Sequence, residues 1–182
     1  MRIVATAIDT GGHYTAETYA FVKASDPFSV FAIKGSSTPG SPISGKPSVQ
    51  KNGVPLYMIG TDTIKNLLFS RLLIEEHGPG FVHFPMNLDE EYFKQLTAEK
   101  RKVKYTNGFK KYEWIKTRKR NEQLDLMVYN IAALNIIAFV VYPNLTIYQI
   151  LDNLRQDNEK PANVAVRRKK RRRQLNPGER IE

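Results

Sequence analysis

The sequence predicts an α/β domain in which a mixed sheet is flanked by helices. Short apolar runs rich in β-branched residues alternate with amphipathic segments at helical spacing, a pattern typical of layered α/β domains. Asn107-Gly108 separates two further runs and favours the tight turn between antiparallel strands. The 182 residues are 41% hydrophobic, enough for one domain with its own core.

The first strand is predicted at residues 2–8, and Asp9 follows it directly. The run is rich in Ile, Val and Thr, which favours a strand, and Thr10-Gly11-Gly12 then breaks it. A carboxylate at the tip of a buried strand is where α/β domains place metal and phosphate chemistry. Asp9 is therefore a candidate site residue, and a solvated turn aspartate is the alternative.

The later elements follow from periodicity and turn signals. Helices are predicted at 14–24, from about 61, at 89–97, 122–138 and 145–156, and strands at 29–33, 56–59, 81–85, 103–106 and 109–114. Residues 35–54 are rich in Gly, Ser and Pro, which predicts a long loop. Thr61 or Asp62 should cap the second helix, and His83, within an apolar strand, should be a core residue.

This pattern divides the chain into three parts. Residues 1–140 form the domain, 141–157 an amphipathic C-terminal helix, and 158–182 a polar and basic tail that we expect to be disordered. Residues 160–182 hold nine Lys and Arg against two Glu, a net charge of +7 out of +10. The remaining residues are therefore only mildly basic, at about +3.

Composition excludes several kinds of chemistry. The chain has no cysteine, and its three histidines show no close metal-ligand spacing. Disulfides, thiolate sites and cysteine catalysis are excluded, and a zinc site is not expected. A metal would sit on oxygen ligands, which suits Mg²⁺ or Mn²⁺. We see no signal peptide, and the apolar stretch 131–141 is too short to span a bilayer, so we expect a soluble intracellular protein with no membrane partner.

Asp125 is the second candidate site residue. It lies one turn into the strongest helix, at the edge of the apolar stripe formed by Leu124, Val128 and Ile131. Glu122 shares its face. The alternative is a solvated first-turn carboxylate favoured by the helix dipole.

Basic residues at three places are candidates for binding a DNA backbone. They are Lys34 at a strand end, then Lys116, Arg118, Lys119 and Arg120 just before Asp125, and Arg168, Lys169, Lys170 and Arg171 in the tail. Such clusters bind phosphates without reading sequence. A solvated charge run is the alternative at each place, and the tail could equally dock on an acidic protein surface.

Six segments in order resemble the nuclease domain of tailed-phage terminase large subunits of the lambda type. They are Ile8-Asp9-Thr10-Gly11-Gly12, Ile33-Lys34-Gly35, Ile59-Gly60-Thr61-Asp62-Thr63-Ile64-Lys65, Val82-His83-Phe84-Pro85, Gln95-Leu96-Thr97-Ala98-Glu99 and Arg120-Asn121-Glu122-Gln123-Leu124-Asp125. The resemblance covers about residues 2–138. Each motif alone is weak, whereas six with similar spacing are fairly specific.

The resemblance implies an RNase H-like domain that cuts concatemeric double-stranded DNA during genome packaging. Such nucleases hold two Mg²⁺ or Mn²⁺ ions on acidic residues, and Asp9 and Asp125 match two of those acids. The implied partners are DNA, the terminase small subunit and the portal. The implied location is the host cytoplasm, for a phage or a prophage-encoded protein.

The chain also departs from the family pattern. The first acid of the family lies on an earlier strand, and no phosphate-binding loop of an ATPase is present. We therefore expect a sheet that lacks its first strands, an incomplete metal site and an ATPase portion supplied elsewhere. A non-catalytic DNA- or portal-binding remnant completed by another chain is the alternative. An unrelated basic nucleic-acid-binding protein is a third hypothesis.

Overall fold

The computed structural model describes residues 3–106 and 108–159, which form a mixed α/β fold. Its elements are β1 (Thr6–Asp9), α1 (Thr15–Ala24), β2 (Val30–Gly35), β3 (Ser48–Val49), β4 (Pro55–Ile59), α2 (Thr61–Leu72), α3 (Glu90–Leu96), β5 (Glu99–Thr106), β6 (Phe109–Lys116), α4 (Glu122–Val140) and α5 (Ile147–Glu159). The predicted alternation of strands and helices is confirmed.

Four strands form the main sheet in the order β1-β2-β4-β3. β1, β2 and β4 are parallel, so their carboxyl ends meet at one edge, whereas β3 pairs antiparallel with β4. β2 is buried on both faces through Phe31, Ala32 and Ile33, as expected for a strand between parallel neighbours. Among the strands that the structure describes, β1 pairs with β2 alone and so lies at the open side of this sheet.

Helices cover both faces of the sheet. On one face, Phe31 and Ile33 pack in a core with residues of α2 and α4. On the other, Ala32 packs with Val22 of α1 and with Leu56. The two faces therefore carry different helices, and side chains at alternate strand positions meet different surroundings.

α4 is the central helix of the larger core. Its buried residues are Leu124, Val128, Ala132, Ala133, Ile136 and Ile137. Of the helices in the described ranges, α4 alone is long and apolar enough to cross a membrane by length and composition. A core helix passes the same test, and the packing of α4 against β1, α2 and α3 explains its apolar composition.

β5 and β6 form a separate two-stranded ribbon with the register that the Asn-Gly turn predicts. Glu99 lies opposite Lys116, and Thr106 lies opposite Phe109. Gly108 has φ of 78°, a left-handed conformation that glycine adopts without strain. Trp114 anchors the ribbon by packing against Phe69 of α2, with ring centroids 4.8 Å apart.

The predicted long loop packs closely against the start of α2. The backbone N–H of Gly60 donates to the Pro42 carbonyl at 2.9 Å, and a Cβ at position 60 would lie 2.2 Å from the Ser41 carbonyl oxygen. The Ser44 hydroxyl donates to Oδ1 of Asn135 at 2.6 Å, which ties the loop to α4. The loop follows a defined path, and Gly60 is the residue that permits it.

Three local predictions are wrong. Residues 81–85 form no strand, because Phe84 packs edge-on against Phe93 of α3 and no strand of the described ranges pairs with the segment. His83 is exposed beside Phe81 rather than buried in the core. The N-cap of α2 is Gly60 rather than Thr61 or Asp62, because the loop contact places the chain reversal one residue earlier.

The C-terminal helix begins and ends later than the sequence predicts. α5 runs to Glu159, two residues into the segment 158–182 that we expected to be disordered. The rest of that tail lies outside the described residues, so the prediction of disorder there stays a prediction.

Candidate active site

Asp9 is the last residue of β1, and its exposed carboxylate is held from two directions. Oδ1 accepts a hydrogen bond from the backbone N–H of Gly11 at 3.0 Å. Oδ2 accepts one from the hydroxyl of Tyr129 at 3.1 Å. The next residue, Thr10, is buried and bonds the Ile33 carbonyl through both its backbone N–H and its hydroxyl, which fixes the turn below the carboxylate.

The strand register decides which face of the sheet Asp9 occupies. Asp9 lies beside Ile33, whose side chain belongs to the core under α4. Neighbouring residues in a parallel pair point to the same face, so Asp9 faces α4. Lys34 is one residue further and exposed, so it points to the opposite face, the side of α1.

Asp125 lies in the first turn of α4 and is half-buried. Its Oδ2 accepts a hydrogen bond from Nδ2 of Asn121 at 3.1 Å. Burial raises the pKa of the Asp125 carboxyl above its ordinary value, and the charge of Glu99 adds to this effect, while Lys65, Lys116 and the Asn121 bond oppose it. The cations and the hydrogen bond around Asp125 therefore do not fully offset the cost of burying its ionised carboxylate.

Tyr129 connects the two candidate acids. It lies one turn after Asp125 on α4 and donates to Asp9. Burial raises the pKa of the Tyr129 hydroxyl most, and the Asp9 charge and hydrogen bond and the Asp125 charge raise it further. The hydrogen bond from Tyr129 therefore ties the carboxylate of Asp9 to the helix that carries Asp125 one turn earlier.

A buried polar network beside Asp125 was missed by sequence reasoning. Glu99 is 5% exposed; its Oε2 pairs with Nζ of Lys65 at 2.6 Å, and its Oε1 accepts from Nδ2 of Asn121 at 2.9 Å. Lys116 donates from Nζ to Oδ1 of Asn121 at 2.8 Å. The turn at 107–108 was a usable signal, because a two-residue hairpin loop there places Glu99 opposite Lys116.

The predicted basic residues occupy different surroundings. Lys116, though exposed, donates a hydrogen bond to Asn121, whereas Arg118, Lys119 and Arg120 are exposed in the connection between β6 and α4. Nε of Arg120 lies 3.4 Å from Oε2 of Glu122. Arg168, Lys169, Lys170 and Arg171 lie outside the described residues.

The described donors fit a Mg²⁺ or Mn²⁺ ion in kind. Two carboxylates, Asp9 at the end of β1 and Asp125 in the first turn of α4, supply hard oxygen atoms. Residues 3–106 and 108–159 contain no group of three or more His, Asp or Glu that could hold a metal together. Mg²⁺ is commonly bound by one or two carboxylates plus substrate phosphates, so this donor set suits an ion shared with a phosphate.

The fold and the site together define an α/β domain with one carboxylate, Asp9, at the carboxyl end of a parallel strand and another, Asp125, in the first turn of the core helix α4. A family model described as "Terminase large subunit gpA, endonuclease domain" matches residues 1–143, and the chain belongs to this family. The resemblance stated from the six sequence motifs is confirmed.

Two terminase large subunits are similar to this chain. That of Escherichia phage lambda is 41% identical over 144 residues, which is 75% of this chain and 22% of the relative. That of Enterobacteria phage P21 is 33% identical over 147 residues, 75% of this chain and 23% of the relative. The chain thus spans about a fifth of the length of these relatives. No solved structure matches it.

Proposed function

We propose that this chain is the DNA-cleaving portion of a phage packaging terminase, with Asp9 and Asp125 as ligands for Mg²⁺ or Mn²⁺. The substrate is concatemeric double-stranded DNA, and the reaction is hydrolysis of the phosphodiester backbone. The hydrogen bond from Tyr129, one turn after Asp125 on α4, to the strand-tip carboxylate of Asp9 carries this proposal. An RNase H-like architecture is part of it, supported by the parallel strands and flanking helices.

The chain's own residues would fix the ligands before any ion binds. Tyr129 and Gly11 orient the two oxygens of Asp9, and Asn121 orients Asp125. A bound pair of divalent ions would activate water and stabilise the leaving oxygen. The burial that raises the Asp125 pKa disfavours its ionised form, so a cation at this site gains by neutralising it.

Two carboxylates alone should hold a divalent ion weakly. We propose that DNA phosphates and a further acid from another segment complete the set of ligands. The metal and the DNA would then bind cooperatively, since each supplies part of the other's site.

The exposed basic residues would hold the DNA backbone. Arg118, Lys119 and Arg120 lie in the connection that leads directly into α4, a few residues before Asp125. Lys34 would contact DNA from the other face of the sheet, and the tail would add non-specific affinity. We propose the terminase small subunit, the portal and an ATPase portion supplied elsewhere as partners in the host cytoplasm, for a phage or prophage-encoded protein.

Plasmid nicking with Mn²⁺ tests this proposal. The chain is assayed alone and as a chimera in which it replaces its matching region in the phage lambda large subunit. The proposal is supported if the wild-type chain nicks the plasmid and Asp125→Ala abolishes the nicking. The control Asp152→Ala, on the exposed side of α5, should leave the nicking intact. Absence of nicking in both contexts would reject it.

A second candidate function is a non-catalytic DNA- or portal-binding module completed by another chain. The observation that favours it is the open side of β1. An apolar cleft of about 500 Å³ lies there between β1 and α4, lined by Val4, Ala5, Ala133, Leu134 and Leu154 among others. Among the described strands β1 pairs with β2 alone, and such a strand edge beside apolar surface is suited to adding a strand from a partner. DNA binding by the chimera without any nicking would favour this candidate.

A further inference from the structure

The side chain of Asn121 is used in an unexpected way. Asn121 is the N-cap residue of α4, yet its side chain makes no capping hydrogen bond. It is 5% exposed and turned inwards. The side chain of an asparagine at this position usually accepts a hydrogen bond from a backbone N–H in the first turn of its helix. The side chain of Asn121 makes other contacts instead.

Those contacts use both ends of the amide. Nδ2 donates to Oε1 of Glu99 and to Oδ2 of Asp125, and Oδ1 accepts from Nζ of Lys116. The amide has two donor hydrogens and one acceptor oxygen, so each end is engaged. The reversed orientation would direct the amide oxygen at two carboxylates and its NH₂ group at an ammonium. The charges around Asn121 therefore permit one orientation only.

The far side of the network is rigid. Glu99 is buried and held by Lys65, whose side chain is 12% exposed. Lys65 comes from α2, Glu99 from the base of β5 and Lys116 from the end of β6. Three separate elements thus fix the amide against which Asp125 rests.

We propose that Asn121 is a positioning residue that holds the Asp125 carboxylate through Oδ2 and leaves Oδ1 to bind the metal ion. The inference rests on the proposed metal site. Within the described ranges, Oδ2 is the Asp125 oxygen that accepts a hydrogen bond. Hydrogen bonds that orient a ligand from behind commonly contribute 10–100-fold to metal affinity.

A Mn²⁺ titration of the full chain followed by NMR tests the inference without DNA or activity. Paramagnetic broadening of the backbone amides of Gly11 and Leu126 reports an ion near Asp9 and Asp125. Asn121→Ala should require about ten times more Mn²⁺ for half-broadening. Gln95→Ala is the matched control, because Gln95 is also 5% exposed and also donates to a carboxylate, that of Glu91 on α3.

The outcomes separate the two proposals. If wild type broadens, Asp125→Ala abolishes the effect and Asn121→Ala titrates like wild type, the positioning role is wrong and the metal site stands. If wild type shows no selective broadening, the metal site is wrong and the inference falls with it. A purely structural role would lower the melting temperature of Asn121→Ala and leave the titration midpoint unmoved.

A milder variant covers the case in which Asn121→Ala does not fold. Asn121→Ser keeps a side chain suited to capping α4 and leaves every neighbouring charge unchanged, but it is too short to make the contact of Nδ2 with Oδ2 of Asp125. It should raise the Mn²⁺ midpoint by about tenfold, as Asn121→Ala does, because the same hydrogen bond is lost. An unchanged midpoint in this folded variant would contradict the positioning role.

Discussion

The hydroxyl of Tyr129 donates a hydrogen bond to Oδ2 of Asp9 across 3.1 Å, joining the middle of α4 to the tip of β1. These residues are 120 positions apart in the chain. The bond places the strand-tip carboxylate against the same helix that carries Asp125, one turn earlier.

Tyr129→Phe should loosen Asp9 with little effect on folding. The variant lacks one hydrogen bond to an exposed carboxylate, which costs about 0.5–1.5 kcal/mol of the free energy of unfolding. The Mn²⁺ concentration for half-maximal nicking by the chimera should rise about tenfold, because Asp9 keeps only the Gly11 hydrogen bond. Tyr142→Phe, just beyond the far end of α4, is the control. Equal metal dependence in both variants would show that the Tyr129 hydroxyl is not needed.

Asp125→Asn should stabilise the metal-free protein at neutral pH. Because the folded pKa of Asp125 is raised, the folded state binds this proton more tightly than the unfolded chain does. The free energy of unfolding therefore falls as pH rises from the unfolded pKa, about 3.9, through the higher folded pKa. Asp125→Asn has no carboxyl to ionise, so its free energy of unfolding does not fall in this way. Each kcal/mol of additional free energy of unfolding raises the melting temperature by about 2–4 °C.

Thermal unfolding in a chelator at pH 7 and at pH 3 measures this difference. The gain of Asp125→Asn should be present at pH 7 and absent at pH 3, where the carboxyl is protonated in both the folded and the unfolded wild type. Asp152→Asn, on the exposed side of α5, should change neither value. A gain of equal size at both pH values would show that charge burial is not its cause.

Gly60→Ala should be among the most destabilising single substitutions in the domain. The new Cβ would lie 2.2 Å from the Ser41 carbonyl oxygen and 2.6 Å from that of Pro42, so the backbone of the loop must move. We expect a decrease of about 3 kcal/mol or more in the free energy of unfolding, measured by denaturant titration. Gly45→Ala, in the same loop with nothing within 4 Å, should be tolerated. Similar decreases in the two variants would mean that the loop does not pack closely on Gly60.

Deletion of residues 160–182 should weaken DNA binding and flatten its salt dependence. The segment carries a net charge of +7, and the slope of log K against log salt becomes shallower by about 0.9 for each phosphate that the protein ceases to neutralise. Fluorescence anisotropy with duplex DNA at several salt concentrations measures the slope. Substitution of Arg118, Lys119 and Arg120 by Gln in the full chain is the comparison. An unchanged slope on deletion would assign DNA binding to the folded part.

Much of the architecture could be predicted from the sequence because it depends on local signals. Helical spacing indicated α1, α2, α3 and α4, and Asn107-Gly108 indicated the ribbon of β5 and β6. The segment at 81–85 shows the limit of this reasoning. Its apolar residues fit a strand, but a strand also needs a neighbour with free backbone groups, and the sequence does not state where neighbours lie.

The candidate site shows the same difference between local signals and contacts that depend on the fold. The sequence by itself determined that Asp9 follows a strand, that Asp125 opens a helix and that an Asn-Gly turn joins two antiparallel strands, because each depends on residues close in the chain. Only the tertiary structure decided that Asp9 meets Tyr129, that Lys34 points to the other face, and that Lys65, Glu99 and Asn121 form one network behind Asp125. These contacts depend on strand register and on the packing of α2 and α4 against the sheet. The side chains that make them are 22 to 120 positions apart in the chain, so they come together only when that core forms.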